Sequence, residues 1–149
     1  MTARIIPVET FDLFVFGGTG DLALRKLLPG LYYRDHDRQL PPESRIIGVA
    51  RRQIDRGAYR DEVETALQRY LPVNDLDGAS LERFLRRLDY VGLDAAGVVG
   101  WPALAATLAA AEDRIRVFYL ATAPDLFAPI CRSLAAAQLV TPLARVVLE

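Results

Sequence analysis

Short apolar runs alternate along this chain with longer segments whose leucines and alanines recur at helical spacing. The first run, Phe11 to Phe16, predicts a strand. A helix is expected from Asp21 to Tyr33, with Leu22, Leu24, Leu27, Leu28 and Leu31 as its apolar set. Arg45 to Ala50 predicts a second strand, preceded by Pro41-Pro42, which cannot join a helix interior. A second helix is expected from Arg56 to Tyr70, ended by Pro72. Leu81, Phe84, Leu85 and Leu88 share one face of a short helix, and a third strand is expected from Asp89 to Gly92. Trp101 to Ala111 reads as an alanine-rich helix with Pro102 in its first turn. Arg116 to Ala121, Pro124 to Gln138 and Ala144 to Leu148 complete the pattern as strand, helix and strand.

Val117-Phe118-Tyr119-Leu120-Ala121 is nearly continuous in apolar residues. Strands buried on both faces of a parallel sheet read this way. Alternating strands and helices with right-handed crossovers then give a doubly wound α/β sheet of the Rossmann type, in the order 3-2-1-4-5, with helices on both faces. A ligand is expected where the strand order reverses, at the carboxyl ends of the first and fourth strands. The chain shows no internal repeat, low-complexity tract or linker, and its 149 residues suit one domain, 1–149.

The chemistry starts where the first strand stops. Gly17-Gly18-Thr19-Gly20 stands between that strand and the first helix, and Gly18 to Ala23 fits G-x-G-x-x-A. Glycine allows positive φ and lets a phosphate approach the backbone. The first N–H groups of the helix have no internal partner and lie at its positive end, so they can hold a pyrophosphate without a basic side chain. A branched residue at Gly20 is expected to fill the phosphate's space and to oppose the turn's backbone angles. Ala23 is small where helix and strand must pack closely.

The end of the second strand selects the cofactor. An acidic residue there binds the ribose 2′-hydroxyl of NAD, whereas arginine receives the 2′-phosphate of NADP. This chain reads Gly48-Val49-Ala50-Arg51-Arg52-Gln53, without a carboxylate until Asp55. Arg51 offers a permanently charged fork matched to phosphate, and Thr19 adds a hydroxyl. NADP is the expected cofactor. NAD stays possible, because arginine also stacks on adenine.

Composition narrows the alternatives. Hydrophobic residues make up 52% and charged residues 25%, as in soluble globular proteins. No apolar run is long enough to cross a membrane, and Met1 to Pro7 lack the apolar core of a signal peptide, so a cytoplasmic location is expected. A formal charge of −1 opposes general nucleic-acid binding. Cys131 is the only cysteine and His36 the only histidine, which leaves no internal disulfide and no His–His metal site. His36 sits in Arg34-Asp35-His36-Asp37-Arg38 and reads as a surface residue. Lys26 is the only lysine.

Gly17 to Ala23 followed by Arg25-Lys26-Leu27-Leu28-Pro29 and Leu31-Tyr32 resembles the amino-terminal signature of the glucose-6-phosphate dehydrogenases. Gly48 to Arg51, Phe118 to Pro124 and Arg145 to Glu149 are similar to later segments of the same family. The resemblance implies that Gly17, Gly18, Thr19, Gly20, Asp21 and Leu22 bind the pyrophosphate and adjacent ribose. It implies that Thr19 and Arg51 hold the 2′-phosphate, that Tyr119 lies along the cofactor, and that Lys26 points towards the substrate. Leu24 stands where many members have lysine, and Ala123-Pro124 where many have two prolines. Family members are several times longer. Their catalytic histidine and sugar-phosphate ligands lie in a carboxyl-terminal domain, so glucose 6-phosphate is expected as a partner only with that domain. The isolated chain is expected to be inactive. A stand-alone NAD(P)-binding or regulatory module, or a folded remnant serving as an interaction surface, are the alternatives. An apolar face left uncovered favours self-association.

Overall fold

The computed structural model describes residues 8–111 and 113–149. Five parallel strands form one sheet in the order β3-β2-β1-β4-β5, as the alternation predicts. They are β1 (Phe11–Phe16), β2 (Arg45–Ala50), β3 (Leu88–Gly92), β4 (Ile115–Leu120) and β5 (Ala144–Leu148). The order reverses between β1 and β4, whose register pairs Phe14 with Phe118 and Phe16 with Leu120.

The helices are α1 (Leu28–His36), α2 (Arg56–Tyr70), α3 (Gly78–Arg86), α4 (Trp101–Ala109) and α5 (Phe127–Ala136). Local chemistry sets their ends. Asp55 accepts from Ala58 N–H at 2.7 Å, capping α2, and Asp77 accepts from Ser80 N–H at 2.8 Å, capping α3. Leu71 leaves the α region immediately before Pro72, which closes α2. Pro124–Leu126 forms a 3₁₀ turn ahead of α5, so the expected last helix begins more tightly wound than the pattern implies.

Two apolar layers flank the sheet. On one face Phe14, Phe16, Ile47, Val49, Phe118 and Leu120 meet α4 and α5 through Trp101, Leu104, Leu108, Ile130 and Leu134. The Phe14 and Phe118 rings stack with centroids 5.4 Å apart. On the other face Leu13, Val15, Ile46 and Leu88 meet Leu28, Tyr32, Tyr59, Val63, Leu67 and Phe84 of α1 to α3. Ala23 is fully buried in this layer, as its small size foretells.

The expectation that strand runs such as Val117 to Ala121 are buried on both faces needs correction. It holds for most of β1 and β2, but β4 alternates between buried and partly exposed residues, and β5 is largely exposed. The apolar content of β4 and β5 suggests burial, yet α1 to α3 pack over the β3-β2-β1 side of their face. Val146, Val147 and Leu148 therefore stand exposed on an edge strand.

At the amino-terminal end of the sheet, Asp12 is wholly buried and accepts two bonds from Arg45, at 2.9 and 2.7 Å, and one from Arg114 at 3.2 Å. Buried carboxylates persist only with such partners. No helix among the described residues is long and apolar enough to cross a membrane.

Candidate nucleotide-binding site

The site begins where β1 ends. Gly17 has a φ of +84°, which a side chain would make costly. Gly17 N–H and Gly18 N–H both donate to Val49 O, at 2.8 and 3.2 Å, and Gly20 N–H donates to Gly17 O at 2.9 Å. A Cβ on Gly17 would overlap the carbonyl oxygen of Ala121, just past the end of β4. A Cβ on Gly18 would lie 2.8 Å from Gly48 Cα. These two glycines are required by backbone packing, and their N–H groups are already occupied.

Gly20 is different. Its φ lies outside the left-handed region, and an added Cβ would approach only Gly17 O, at 3.2 Å. The expected conflict of a branched residue with the turn's backbone angles is thus absent at Gly20 and belongs to Gly17. What Gly20 provides is bare, exposed backbone at the mouth of the turn.

Within and just after the turn, the N–H groups of Thr19, Asp21 and Leu22 have no hydrogen-bond partner among the described residues. They stand at the start of the first helix, where the peptide dipoles point their positive end. That set of donors suits the oxygens of a pyrophosphate. Asp21 forms an exposed ion pair with Arg25 at 3.1 Å.

The helix itself departs from the regular form expected from Asp21 to Tyr33. Ala23–Leu27 is a π-helical turn, in which Leu28 N–H bonds to Ala23 O. Such a turn inserts an extra residue and so rotates the start of the helix against its remainder. Nothing in Ala-Leu-Arg-Lys-Leu announces this. Lys26 lies in the π-helical turn and is exposed.

The two arginines after β2 part company. Arg52 forms an ion pair with Glu62 of α2 at 2.7 Å. Arg51 is exposed and has no ion pair among the described residues. Tyr90 O–H fixes this bend by donating to Arg52 O at 2.6 Å and Ala50 O at 3.2 Å.

Tyr59 is the residue that sequence reasoning missed. It is fully buried on α2, its ring fills the space over Gly48, and its hydroxyl donates to Gly18 O at 2.9 Å. Burial pushes its phenol well above the usual tyrosine range. A glycine inside a strand marks a close approach, so Gly48 was the available signal.

Tyr119 lies on β4, partly buried against the α1–α3 layer, and its hydroxyl donates to the Glu149 carboxylate. Burial, with that bond, raises its pKa to about 12. The structure thereby joins two residues that the sequence places thirty positions apart. His36 is remote from the turn, exposed at the end of α1, with ring nitrogens 3.4 Å from Asp37 and 3.3 Å from Asp77.

A cavity of about 540 Å³ adjoins Thr19 on the α2 side. Asp21, Asp61 and Glu62 line it with Arg69. Three carboxylates oppose a phosphate there, so the row of backbone N–H groups suits an anion better than this cavity does.

Comparison with known proteins agrees with the geometry. Residues 14–149 match the family described as the glucose-6-phosphate dehydrogenase NAD binding domain. The glucose-6-phosphate 1-dehydrogenase of Gluconobacter oxydans is 51% identical over 144 residues, covering 95% of this chain and 29% of that protein. The enzyme of the same name from Mycolicibacterium smegmatis is 48% identical over 147 residues, covering 96% of this chain and 30% of its own. The crystal structure of glucose-6-phosphate 1-dehydrogenase from Mycobacterium avium superposes with a TM-score of 0.84 at 32% identity, over 95% of this chain and 30% of that one. The chain thus spans about 30% of the length of the relatives it matches. With a parallel sheet that reverses at β1 and β4 and a glycine turn at the reversal, the chain belongs to the glucose-6-phosphate dehydrogenase family, as its nicotinamide-dinucleotide-binding domain.

Proposed function

We propose that this chain binds NADP across the carboxyl ends of β1 and β4. It would act as the cofactor-holding part of an enzyme that oxidises glucose 6-phosphate to 6-phosphogluconolactone. The observation that carries this reading is the set of unpartnered N–H groups on Thr19, Asp21 and Leu22 beside the bare backbone of Gly20. Gly17 and Gly18 shape the turn, and the pyrophosphate accepts from the three free donors. Arg51, without a competing carboxylate, receives the 2′-phosphate together with the Thr19 hydroxyl. Tyr119 borders the cofactor, and Lys26 faces the sugar side.

The bound nicotinamide supplies the hydride acceptor. This chain's residues bind and orient it. A proton must also leave the sugar hydroxyl, and that step needs a base within hydrogen-bond reach. His36 stands at the far end of α1, roughly 24 Å along the helix from Gly20 at 1.5 Å per residue. In this reading the base and the sugar-phosphate ligands come from the part of the family's chain outside the matched 30%.

Calorimetric titration with both dinucleotides tests the reading. NADP should bind at least roughly tenfold more tightly than NAD, the worth of one charged hydrogen bond. Equal affinities would remove the cofactor preference, and failure to bind either would remove the site.

A further inference from the structure

The sheet carries a second concave feature at its opposite end. A cavity of about 540 Å³ opens where β2 begins and where α1 and α3 end. Arg38, Arg45, Arg83, Arg86 and Arg87 line it. Asp35 and Glu43 are the acidic residues of the lining.

Those carboxylates are already engaged. Asp35 is buried and pairs with Arg87 at 2.9 Å and Arg83 at 3.6 Å. Glu43 is largely exposed and lies 3.8 Å from Arg114. Arg45 is held by Asp12. Arg38 and Arg86 are exposed and have no ion pair among the described residues. Two permanently charged guanidinium groups therefore flank the opening outside any ion pair among the described residues.

The floor of the cavity is built on a buried arginine. Arg87 is more than nine-tenths buried. It donates to Pro41 O at 2.6 Å and Ser44 O at 2.9 Å, which ties the loop before β2 to α3. Its Nε has no hydrogen-bond partner among the described residues, whereas Nε of Arg83 faces Asp35 Oδ2 at 3.6 Å. Arg86 is fixed through its backbone, whose carbonyl accepts from Arg56 at 3.1 Å and Arg60 at 3.0 Å. Arg38 adopts a φ of +59° just beyond α1, a position that glycine or asparagine usually fills. An arginine kept in that conformation projects charge where a helix normally ends on a neutral residue.

We propose that this cavity is a second anion site, for a small molecule carrying two or more phosphate groups. Its volume lies within the range of small-molecule sites, and its free charges are the planar forks that grip phosphate oxygens. It is separate from the glycine turn, because six residues of β2 place the two ends of the sheet roughly 20 Å apart at about 3.3 Å per residue. A phosphorylated effector bound here would leave the dinucleotide turn unblocked.

The test is a titration of the 149-residue chain with inorganic pyrophosphate, monitored by amide chemical-shift mapping. Shifts should concentrate in residues 35–45 and 83–88 and saturate. Arg38→Ala/Arg86→Ala should weaken the affinity read at those amides by at least roughly tenfold. Both side chains are exposed, so circular dichroism should be unchanged. Arg38→Gly, which also relaxes the backbone, should weaken binding in the same direction and guards against misfolding of the double variant. Shifts confined to residues 17–22, an unaltered affinity in the variants, or equal shifts from sodium chloride at matched ionic strength would each overturn the proposal.

Discussion

The hydroxyl of Tyr59 on α2 donates to the carbonyl of Gly18 at 2.9 Å, inside the core, and so ties α2 to the glycine turn. Tyr59→Phe keeps the ring over Gly48 but leaves a buried carbonyl without its donor. The loss should be about 1–3 kcal/mol in urea denaturation. Dinucleotide affinity should fall as the turn loosens. A variant as stable as the parent would show that Gly18 O finds another donor.

Gly17 and Gly20 should fail in different ways. Gly17→Ala meets both a φ of +84° and the Ala121 carbonyl, so it should cost at least about 2 kcal/mol of stability. Gly20→Ala should alter stability by less than about 1 kcal/mol, and Gly20→Val should abolish dinucleotide binding while preserving helix content. Thermal melts and a binding assay on the same samples decide the matter. Tight binding by Gly20→Val would place the pyrophosphate elsewhere.

Arg51 and Arg52 are neighbours in different surroundings, since only Arg52 is paired with Glu62. Arg51→Ala should cost about 1.5–3 kcal/mol of NADP binding and much less of NAD binding. Arg52→Ala breaks an exposed pair with Glu62 and should change either affinity by under about 1 kcal/mol. Calorimetry on the two variants separates them, and the reverse ranking would assign the 2′-phosphate to Arg52.

Alkaline titration should expose the tyrosines. Tyr119 has a folded pKa of about 12, raised from 10.0, and Tyr32, Tyr59 and Tyr90 are raised as well, each chiefly by burial. Above pH 10 the unfolded chain loses phenolic protons that the folded chain retains. Stability linked to these groups is therefore intact below pH 10 and declines as pH rises towards 12 and beyond. Absorbance of tyrosinate should rise late and together with unfolding. Tyr119→Phe should remove one late-titrating phenol. Complete titration near pH 10 with the fold intact would contradict the burial.

The chain alone should form no NADPH from NADP and glucose 6-phosphate. Oxidation needs the sugar carbon held against the nicotinamide and a base for its hydroxyl proton, and the only histidine lies at the end of α1 beside Asp37 and Asp77. An absorbance assay on pure protein checks this. Robust turnover would overturn the reading that the base comes from outside this chain.

Strand and helix positions are largely readable from the chain. β1, β2, α2 and β5 run between the residues that the apolar pattern marks, because burial against a sheet or one helix face imposes a period on the chain itself. The glycine turn is readable too, since backbone reversal within a few residues restricts which side chains are allowed. Even the choice of Arg51 over a carboxylate is a local fact about the end of β2.

Contacts between distant segments are not readable. Nothing local says that Tyr59 completes Gly18, that Glu62 claims Arg52 and leaves Arg51 free, or that the N–H groups of Gly17 and Gly18 are spent on Val49. The five arginines around Asp35 are scattered from position 38 to 87 and meet only when α1, β2 and α3 pack. The apolar pattern of β5 suggests burial, and only the placement of the helices leaves it exposed at an edge. Periodicity and turn chemistry are set by each residue's own backbone and near neighbours, so sequence alone determined the elements, their order and the glycine turn. Hydrogen bonds and ion pairs act over a few ångströms between residues far apart in the chain, so tertiary structure alone decided which donors and charges remain free for a ligand.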